Sequence, residues 1–572
     1  MVICCAFFVH QNYLFIMITF RVWKHMLALM ALTGAPAWAA PVTPAERDQQ
    51  QQTQQSLLQQ NQQQREELSR SFMLPKPEVN HQPSDEQRCF IIHSIQIEQA
   101  TLLSPSVRER ITAPFINQCL GITKISQMVA QISDWYISRG YVTSRAFLVE
   151  QDLSSGELHI PVLEGKLQKI VMDNTPSRQL YMAFPGLQGK VLNLRDIEQG
   201  MEQINRLRSQ PAQIEILPGD QAGYSIVNLT ATPEFPLTAS FGFDNSGQKS
   251  TGTGQLNASL VANNLLGLAD KWFIGGGRSS DFSTAGDASN LQTGVSIPWG
   301  YGLLDYSYSR SDYRSTFDNQ GFAWYSRGDS QVHRLTGNWV VFRNGDMKSG
   351  VMAGISHHIS RNWLNDALLQ SSSRKLTSLQ FGINHTQKLA GGVATFNPTL
   401  SRGVSWFNAE SDGDKTADQP KAQFRKWSLS ASFQRPLAQD LWWLSSLYGQ
   451  WSPDRLYGSE RLTLGGESSV RGFKEQYLSG DNGGYLRNEI NYTLFTLPVI
   501  GQVSALAAVD GGWLQQDQYD PWASGTLWGS AIGLGTTNRY VATQFTLGIP
   551  VKYPDWLAPD HLTAYYRISL VF

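Results

Sequence analysis

The chain has 572 residues, 41% hydrophobic residues and a formal net charge of −1. Because the charge is near neutral, there is no electrostatic basis for binding nucleic acid, and we expect no nucleic-acid partner. A mean hydropathy of −0.27 is low for a helical membrane protein, yet aromatic residues reach 11% and include 17 Trp. That combination is typical of a membrane β-barrel, in which only one face of each strand is apolar.

The N-terminal residues 1–39 predict a signal peptide for export. A basic region, a short apolar segment and a small-x-small cleavage site follow one another, at Arg21 with Lys24, at 26–32 and at 37–39. Met17 would start a signal peptide of ordinary length, which would make residues 1–16 an artefact of an upstream start. An uncleaved helical anchor is the alternative interpretation.

The cysteines indicate an oxidising compartment. Cys4 and Cys5 would leave with the signal peptide, so Cys89 and Cys119 remain. Two cysteines in an exported chain predict one disulfide that closes a loop of about 30 residues, in a compartment such as a bacterial periplasm. Neither has His or Cys at ligand spacing beside it, so we expect no metal site.

A glutamine-rich segment comes next, with 11 Gln in the 16 residues of 49–64. Glutamine is a good helix former, but Leu57, Leu58 and Leu68 give too small an apolar stripe to join a core. Such a helix either lies in a water-lined lumen as a removable plug or forms a disordered tail, and these residues alone favour the tail. Three prolines within 72–87 predict an extended linker.

Residues 88–235 predict two successive β-α-β-β units of about 70 residues each. The first unit, 88–164, has a helical period over 125–136 and then two expected strands, at 146–151 and 157–164. The second unit, 165–235, repeats this order, and Asn193 is placed to cap its helix. Neither unit offers a nucleophile–base pair or a phosphate loop, so we expect no enzyme activity and no cofactor. An open sheet edge that accepts an incoming strand is the favoured binding mode.

From Pro236 onward the helical period gives way to apolar/polar alternation, and all but three of the Trp lie beyond this point. The last strand alternates from Leu562 to Phe572 and ends on an aromatic residue, which is typical of outer-membrane barrels. At about 21 residues per strand and connection, 236–572 accommodates about 16 antiparallel strands, with about 14 or 18 as alternatives. A closed barrel is favoured because only closure satisfies every strand hydrogen bond in hydrocarbon.

Within the barrel region, Val470-Arg471-Gly472-Phe473 lies in a loop between two alternating strands. An arginine beside a glycine there predicts a loop that folds back into a polar interior, where the guanidinium reaches a carboxylate. Asp510, in Asp510-Gly511-Gly512 on a later strand, is the candidate partner. A guanidinium binds a carboxylate through two parallel hydrogen bonds, which lysine does not. A solvated arginine in a surface hairpin is the alternative.

With these motifs in place, the whole mature chain resembles the two-partner secretion transporters, the TpsB group of the Omp85 superfamily. This group includes the haemolysin activators and the filamentous-haemagglutinin exporter. Residues 470–473 are similar to the VRG(F/Y) tip of the family's sixth extracellular loop, and 510–512 to its xDxG barrel motif. Ala508 stands where many members carry Phe or Gly. Cys89 and Cys119 resemble the disulfide of the family's first POTRA domain.

The resemblance implies a transmembrane β-barrel of about 16 strands, preceded by two small α/β POTRA domains and an N-terminal helix. Its segments would be a plug helix at 40–71, a linker at 72–87, POTRA 1 at 88–164, POTRA 2 at 165–235, and a barrel at 236–572 with an inward-folded loop at 465–484. The loop would be held by Arg471 and Asp510, with Glu489 as a second possible partner. Val470, Gly472, Phe473 and Gly512 would complete this lock, and Phe572 would be the C-terminal barrel signal.

The resemblance also implies a function in the outer membrane of a Gram-negative bacterium, with the POTRA domains in the periplasm. There the protein would bind and export a large, unfolded, β-helical exoprotein, which is an adhesin, a haemolysin or a contact-dependent inhibition toxin. Its expected partners are this TpsA-type exoprotein, outer-membrane lipid and the barrel assembly machinery, and the protein would be a monomer. An Omp85-type insertase that assembles other barrels is the alternative function.

Overall fold

The computed structural model describes residues 43–70, 89–207, 211–232, 234–279, 286–319, 321–413 and 415–572. The predicted signal peptide at 1–39 and the predicted linker at 72–87 lie outside these residues. Among the described helices, none combines the length and the apolarity needed to cross a membrane.

The glutamine-rich segment forms helix α1, Pro44–Ser69. Thr43 and Glu46 start it with a capping box, in which the backbone N–H of Glu46 donates to Thr43 Oγ1 at 3.3 Å and that of Thr43 donates to Glu46 Oε2 at 3.0 Å. The helix contacts strands of the barrel and buries polar side chains, among them Gln50, Gln54 and Asn61. The interpretation as a disordered tail is therefore wrong for residues 44–69, because the barrel interior supplies polar partners that the sequence of the helix does not reveal.

The first α/β module spans 89–163. Its elements are β1 (Phe90–Ile92), β2 (Ser94–Glu98), α2 (Pro105–Thr112), β3 (Gln118–Leu120), α3 (Ile122–Ser138), β4 (Arg145–Ala146) and β5 (Glu157–Leu163). Strands β2, β5 and β4 form one sheet, while β1 and β3 form a separate pair that the Cys89–Cys119 disulfide joins. Helix α3 buries Ile125, Met128, Ile132 and Tyr136 against the sheet. Burial raises the pKa of the Tyr136 phenol, and its 2.8 Å hydrogen bond to Glu164 adds to the rise.

One predicted strand of this module is wrong. The sequence predicts pairing over 146–151, but β4 stops at Ala146. The reason is the Gln151 side chain, which accepts from the backbone N–H of His159 and donates to its carbonyl, both at 2.8 Å. That amide occupies the edge of β5 that a longer β4 would have paired with.

The second module follows directly. Its elements are β6 (Lys166–Met172), α4 (Arg178–Ala183), α5 (Leu194–Asn205), β7 (Ala212–Pro218) and β8 (Tyr224–Ala231), with strand order β6-β8-β7. Asn193 caps α5 as expected, its Oδ1 accepting from Arg195 N at 2.9 Å. The short helix α4 was not expected from the sequence.

The C-terminal part is a closed antiparallel barrel of 16 strands, which confirms the expected fold. Its first strands are β9 (Leu237–Asp244), β10 (Gln255–Asn263), β11 (Lys271–Ser279), β12 (Gly286–Trp299), β13 (Gly302–Asn319), β14 (Phe322–Arg343) and β15 (Met347–Leu364), with the two-residue β16 (Ala367–Leu368) on the edge of β15. The next are β17 (Arg374–Leu389), β18 (Gly392–Val404), β19 (Arg425–Ala438) and β20 (Leu441–Trp451).

The wall continues after a hairpin formed by β21 (Leu462–Leu464) and β22 (Leu478–Gly480). The last strands are β23 (Gly483–Leu497), β24 (Gly501–Leu514), β25 (Gly525–Thr537), β26 (Val541–Lys552) and β27 (Thr563–Val571). Antiparallel pairing of β27 with β9 closes the barrel. The β12–β13 turn touches the second module, since Gly300 N donates to Met182 O at 2.8 Å. This end of the barrel therefore faces the modules, and the long connections lie at the other end.

Candidate functional site

The central feature of the lumen is the inward hairpin, which we define as β21, β22 and the tip 465–477 between them. Val470 and Phe473 in the tip have no exposed surface. They pack in one apolar cluster with residues of the hairpin and the barrel wall, including Leu464, Leu478, Tyr485, Leu514 and Leu527. The connection that starts at the far end of the barrel is therefore anchored inside it.

A buried ion pair fixes the tip to the wall. Arg471 Nε donates to Asp510 Oδ2 and Nη2 donates to Oδ1, both at 2.6 Å, while the backbone N–H of Arg471 donates to Oδ2 at 3.1 Å. Arg471 is 2% exposed and Asp510 is fully buried. The contact is the two-bond pairing that a guanidinium forms and an ammonium does not.

The pair belongs to a cluster of four charges. Arg471 Nη1 lies 3.0 Å from Glu489 Oε1, and Arg487 Nη2 donates to the same oxygen at 2.6 Å. Arg487 also donates to the carbonyl of Ser468 in the tip at 3.4 Å. Two arginines thus face two carboxylates. The cluster carries no net charge, and these ion pairs offset the cost of removing the charges from water.

Gly472 lets the tip lie directly against the wall. Its φ is +96°, a conformation that side chains disfavour, and a Cβ there would stand 2.7–2.8 Å from the backbone of Ile549 and Pro550. Its carbonyl accepts from Thr563 Oγ1 at 3.1 Å, and its N–H donates to Tyr565 Oη at 3.3 Å. The tip therefore lies along the wall from β24, which carries Asp510, to β26 and β27.

Two further residues from the sequence analysis have different surroundings. A Cβ on Gly512 would lie 3.1 Å from the side chains of Leu464 and Val470, so this glycine makes room for the hairpin. Phe572 lies away from the lumen cluster. Its backbone exchanges hydrogen bonds with Ala239 at 2.8 and 3.0 Å beside the closing strand pair, and its ring is exposed.

Helix α1 is bonded to the same hairpin. Arg47 donates to the carbonyl of Lys474, and its guanidinium lies 4.3 Å from the Tyr477 ring centroid. Gln54 Nε2 donates to the carbonyl of Thr463 at 2.8 Å, and Ser468 Oγ donates to Gln54 Oε1 at 3.2 Å. The helix and the hairpin therefore occupy the lumen as one bonded unit.

The module-facing half of α1 is bonded to the wall and, through it, to the second module. Asn61 Nδ2 donates to Ser430 Oγ at 2.9 Å. Lys348 on β15 is placed between two carboxylates: Glu67 of α1, at 2.8 Å, and Glu202 of α5. Arg343 Nη1 also lies 3.1 Å from Glu202. One lysine of the wall thus joins the helix and the module.

Sequence reasoning brought Arg471, Asp510 and Glu489 together but missed Arg487. Because it precedes Glu489 by two positions on a strand, it shares the same face, and the period of two was the available signal. Gly529 was missed as well, although a Cβ there would lie 1.8 Å from the carbonyl of Arg471. No local pattern marks Gly529, since its importance comes from a residue on another element.

We expect Gly529→Ala to displace the tip of the inward hairpin. Overpacking of this kind costs about 1–3 kcal/mol, so trypsin cleavage after Lys474 in the folded protein should become about tenfold faster. Gly535→Ala on the same strand is the matched control, because the nearest atom to its Cβ would be Thr543 O at 3.3 Å. Equal cleavage rates in the two variants would contradict the packing of the hairpin tip against Gly529.

A closed barrel with two α/β modules at one end and a bonded helix and hairpin in its lumen defines a class, the gated transporters of the outer membrane. The chain belongs to the haemolysin secretion/activation protein family ShlB/FhaC/HecB, whose family model matches residues 223–536. A ShlB-type POTRA domain matches 90–165 and a second POTRA domain matches 166–218. The protein is therefore a two-partner secretion transporter of the outer membrane, with its POTRA domains in the periplasm.

Individual relatives agree with this placement. The outer membrane transporter CdiB of Escherichia coli is 57% identical over 96% of this chain and 94% of its own length. The hemolysin transporter protein ShlB of Serratia marcescens is 30% identical over 87% of each chain. The solved structure of CdiB from Escherichia coli superposes with a TM-score of 0.89 at 58% identity, over 93% of this chain and 100% of the other. CdiB from Acinetobacter baumannii gives a TM-score of 0.77 at 25% identity, over 93% and 99%.

Proposed function

We propose that this transporter exports a large, unfolded, β-helical exoprotein of the contact-dependent growth-inhibition type. The observation that carries the proposal is the luminal unit: a polar helix and an arginine-locked hairpin fill the lumen of a 16-stranded barrel, and barrels of about 16 strands leave a channel through which an extended chain can pass. The 57% identity to transporters named CdiB, over nearly the whole chain, supports the toxin class over a haemolysin or an adhesin. Family membership favours export over the insertase alternative.

In this proposal, α1 is the plug and leaves the lumen before the exoprotein enters. Its contacts suit a removable element, because most are hydrogen bonds of polar side chains to the hairpin and the wall, which water replaces at small net cost. The inward hairpin stays, because Val470 and Phe473 are buried in an apolar cluster and Arg471 is bound to two carboxylates. The hairpin is held to the wall by a set of residues that we call the lock, and the lock maintains the shape of the pore. Its members are Arg471, Asp510, Glu489, Val470, Gly472, Phe473 and Gly512.

Binding of the exoprotein at the POTRA domains is coupled to the plug through Lys348. The exoprotein pairs with a sheet edge by main-chain hydrogen bonds. A shift of helix α5 moves Glu202 away from Lys348 and weakens the site that also holds Glu67 of the plug. The signal thereby reaches the lumen through charged contacts that already connect the two parts.

The remaining partners and roles in the proposal follow the sequence expectations. The barrel acts as a monomer, is surrounded by outer-membrane lipid and is inserted by the barrel assembly machinery, with Phe572 at its C-terminus as the recognition signal. The protein catalyses no reaction, and the folding of the exoprotein outside the cell supplies the energy for transport.

The test is a deletion of this transporter in its own host, with the gene of its exoprotein left intact. We expect the exoprotein to disappear from the cell surface, as judged by protease digestion of intact cells, and growth inhibition of neighbouring cells to cease. Complementation with the intact chain should restore both. Surface exposure without inhibition of neighbours would show that the exoprotein belongs to another class, and surface exposure in the deletion strain would refute the export role.

A further inference from the structure

A patch of arginines covers one side of the outer barrel wall, on strands β11 to β15. Its members are Arg278, Arg310, Arg314, Arg327 and Arg361, whose side chains are 44–67% exposed. On β13 they alternate with Ser311, Tyr313 and Ser315, which are buried. Tyr313 packs with Ala45 of the luminal helix, so it points into the barrel, and the arginines on either side of it point outward.

The strand registers place these arginines in one contiguous field. Arg314 is directly opposite Arg327, and Asp312 is directly opposite Asp329. Like charges at directly opposed positions of neighbouring strands are destabilising. Carboxylates reduce this cost in part, since Arg314 lies 3.4 Å from Asp287 and Arg327 lies 3.2 Å from Asp366. Each guanidinium has five N–H donors, so donors remain on both for a bound anion.

The patch lies at the outer edge of the membrane. Gly302 pairs with the exposed Trp339 at the module-facing end of the wall. At a rise of about 3.4 Å per residue and a strand tilt of about 40°, Arg310 and Arg314 stand about 21 and 31 Å above that level. The apolar band of such barrels is about 25 Å tall. The arginines therefore straddle the boundary between hydrocarbon and headgroups.

The surroundings of the patch suit an amphipathic ligand. Below it the wall exposes Leu304 and Leu335 to the membrane, and the exposed Leu291 lies directly opposite Arg310. A cavity of about 330 Å³ is lined by Arg310, Arg314 and Arg327, by the carboxylates of Asp287, Asp312 and Asp329, and by Tyr325 and Trp363. On the other side of the barrel, the corresponding ends of β24, β25 and β26 expose Trp513, Trp528 and Val551 instead. The arginine patch is thus a local feature of one side of the wall.

We propose that this patch binds the phosphorylated glucosamine headgroup of lipid A in the outer leaflet. The guanidinium groups of Arg314 and Arg327 bind a phosphate between them, which relieves their mutual repulsion, because planar guanidinium groups match phosphate oxygens through paired hydrogen bonds. The acyl chains lie along the leucines below. The barrel is thereby oriented in the membrane by one side of its wall, at a site separate from the lumen.

The test is native mass spectrometry of the full-length protein, purified in detergent and incubated with bisphosphorylated lipid A. Loss of two charge-assisted contacts in Arg314→Gln with Arg327→Gln should weaken lipid A binding about tenfold. Arg539→Gln is the matched control, since Arg539 is an exposed arginine paired with Glu234 at the opposite rim, and it should bind as the unmodified protein does. Fully dephosphorylated lipid A should bind neither to the unmodified protein nor to the Arg539→Gln control.

Heat-modifiable migration on gels reports whether each variant is folded. Should the double variant not fold, the single variants Arg314→Gln and Arg327→Gln serve instead, and each should bind lipid A more weakly than the unmodified protein. Equal lipid A binding by the folded variant and the unmodified protein would overturn the proposal. It would also be overturned by equal binding of dephosphorylated lipid A, or by an equal loss in Arg539→Gln.

Discussion

Replacing Arg471 with alanine should abolish secretion of the exoprotein, while the barrel still assembles in the outer membrane. The substitution removes the partner of Asp510, which is fully buried, and a buried charge left without its partner costs about 3–5 kcal/mol. The barrel itself is held by 16 strands of backbone pairing, so this loss falls on the hairpin rather than on the wall. Secretion is measured as exoprotein at the cell surface, and assembly as heat-modifiable migration of the transporter.

Two controls separate the possible causes. Arg567→Ala breaks another ion pair between the wall and the hairpin, Arg567 with Glu467 at 3.1 Å, but Arg567 is 41% exposed. Since exposed pairs contribute about 0–1 kcal/mol, this variant should secrete normally. Arg471→Ala with Asp510→Ala leaves no unpaired charge at this position, because Arg487 still neutralises Glu489. The double variant should regain stability and still not secrete, because the contact that positions the tip is gone. Normal export by Arg471→Ala would refute the lock.

The barrel and the lock residues could be predicted because each depends on a rule that acts within a short stretch of sequence. Apolar/polar alternation from Pro236 onward follows from a wall with lipid on one face and water on the other. The pairing of Arg471 with Asp510 follows from the chemistry of a guanidinium in a narrow polar lumen, once the family motif had singled out both residues. Glu489 was within reach of the prediction because it lies on the strand that leaves the loop, whereas Arg487 on the same strand face was not assigned a role.

The parts that could not be predicted depend on partners distant in sequence. Helix α1 has almost no apolar stripe, and its order comes from polar groups on the hairpin and the wall, such as Thr463 and Ser430. The strand expected at 146–151 is lost because the Gln151 amide occupies the edge of β5. The arginine patch was missed because alternation alone does not say which face of a strand with few apolar residues points to lipid.

Cross-linking the luminal helix to the inward hairpin should stop secretion completely and reversibly. Gln54 and Ser468 are the positions to use, because their side chains meet at 3.2 Å. In Gln54→Cys with Ser468→Cys, a methanethiosulfonate cross-linker that reductant cleaves should reduce surface exoprotein to background, and reductant should restore it. The physical reason is that the hairpin is fixed by a buried ion pair and an apolar cluster, so a helix tied to it stays in the pore.

The matched control places both cysteines on the helix itself. Gln62 and Glu66 are one turn apart and are hydrogen-bonded at 2.8 Å, so Gln62→Cys with Glu66→Cys accepts the same cross-linker without tying the helix to anything else. Secretion should continue in this variant, which excludes an effect of the reagent or of reducing Cys89–Cys119. If export also continued with position 54 linked to 468, the exoprotein would pass through a lumen that still contains α1. That result would refute the proposal that the plug leaves the lumen. If secretion is blocked only when the helix is cross-linked to the hairpin, transport requires α1 to move out of the pore.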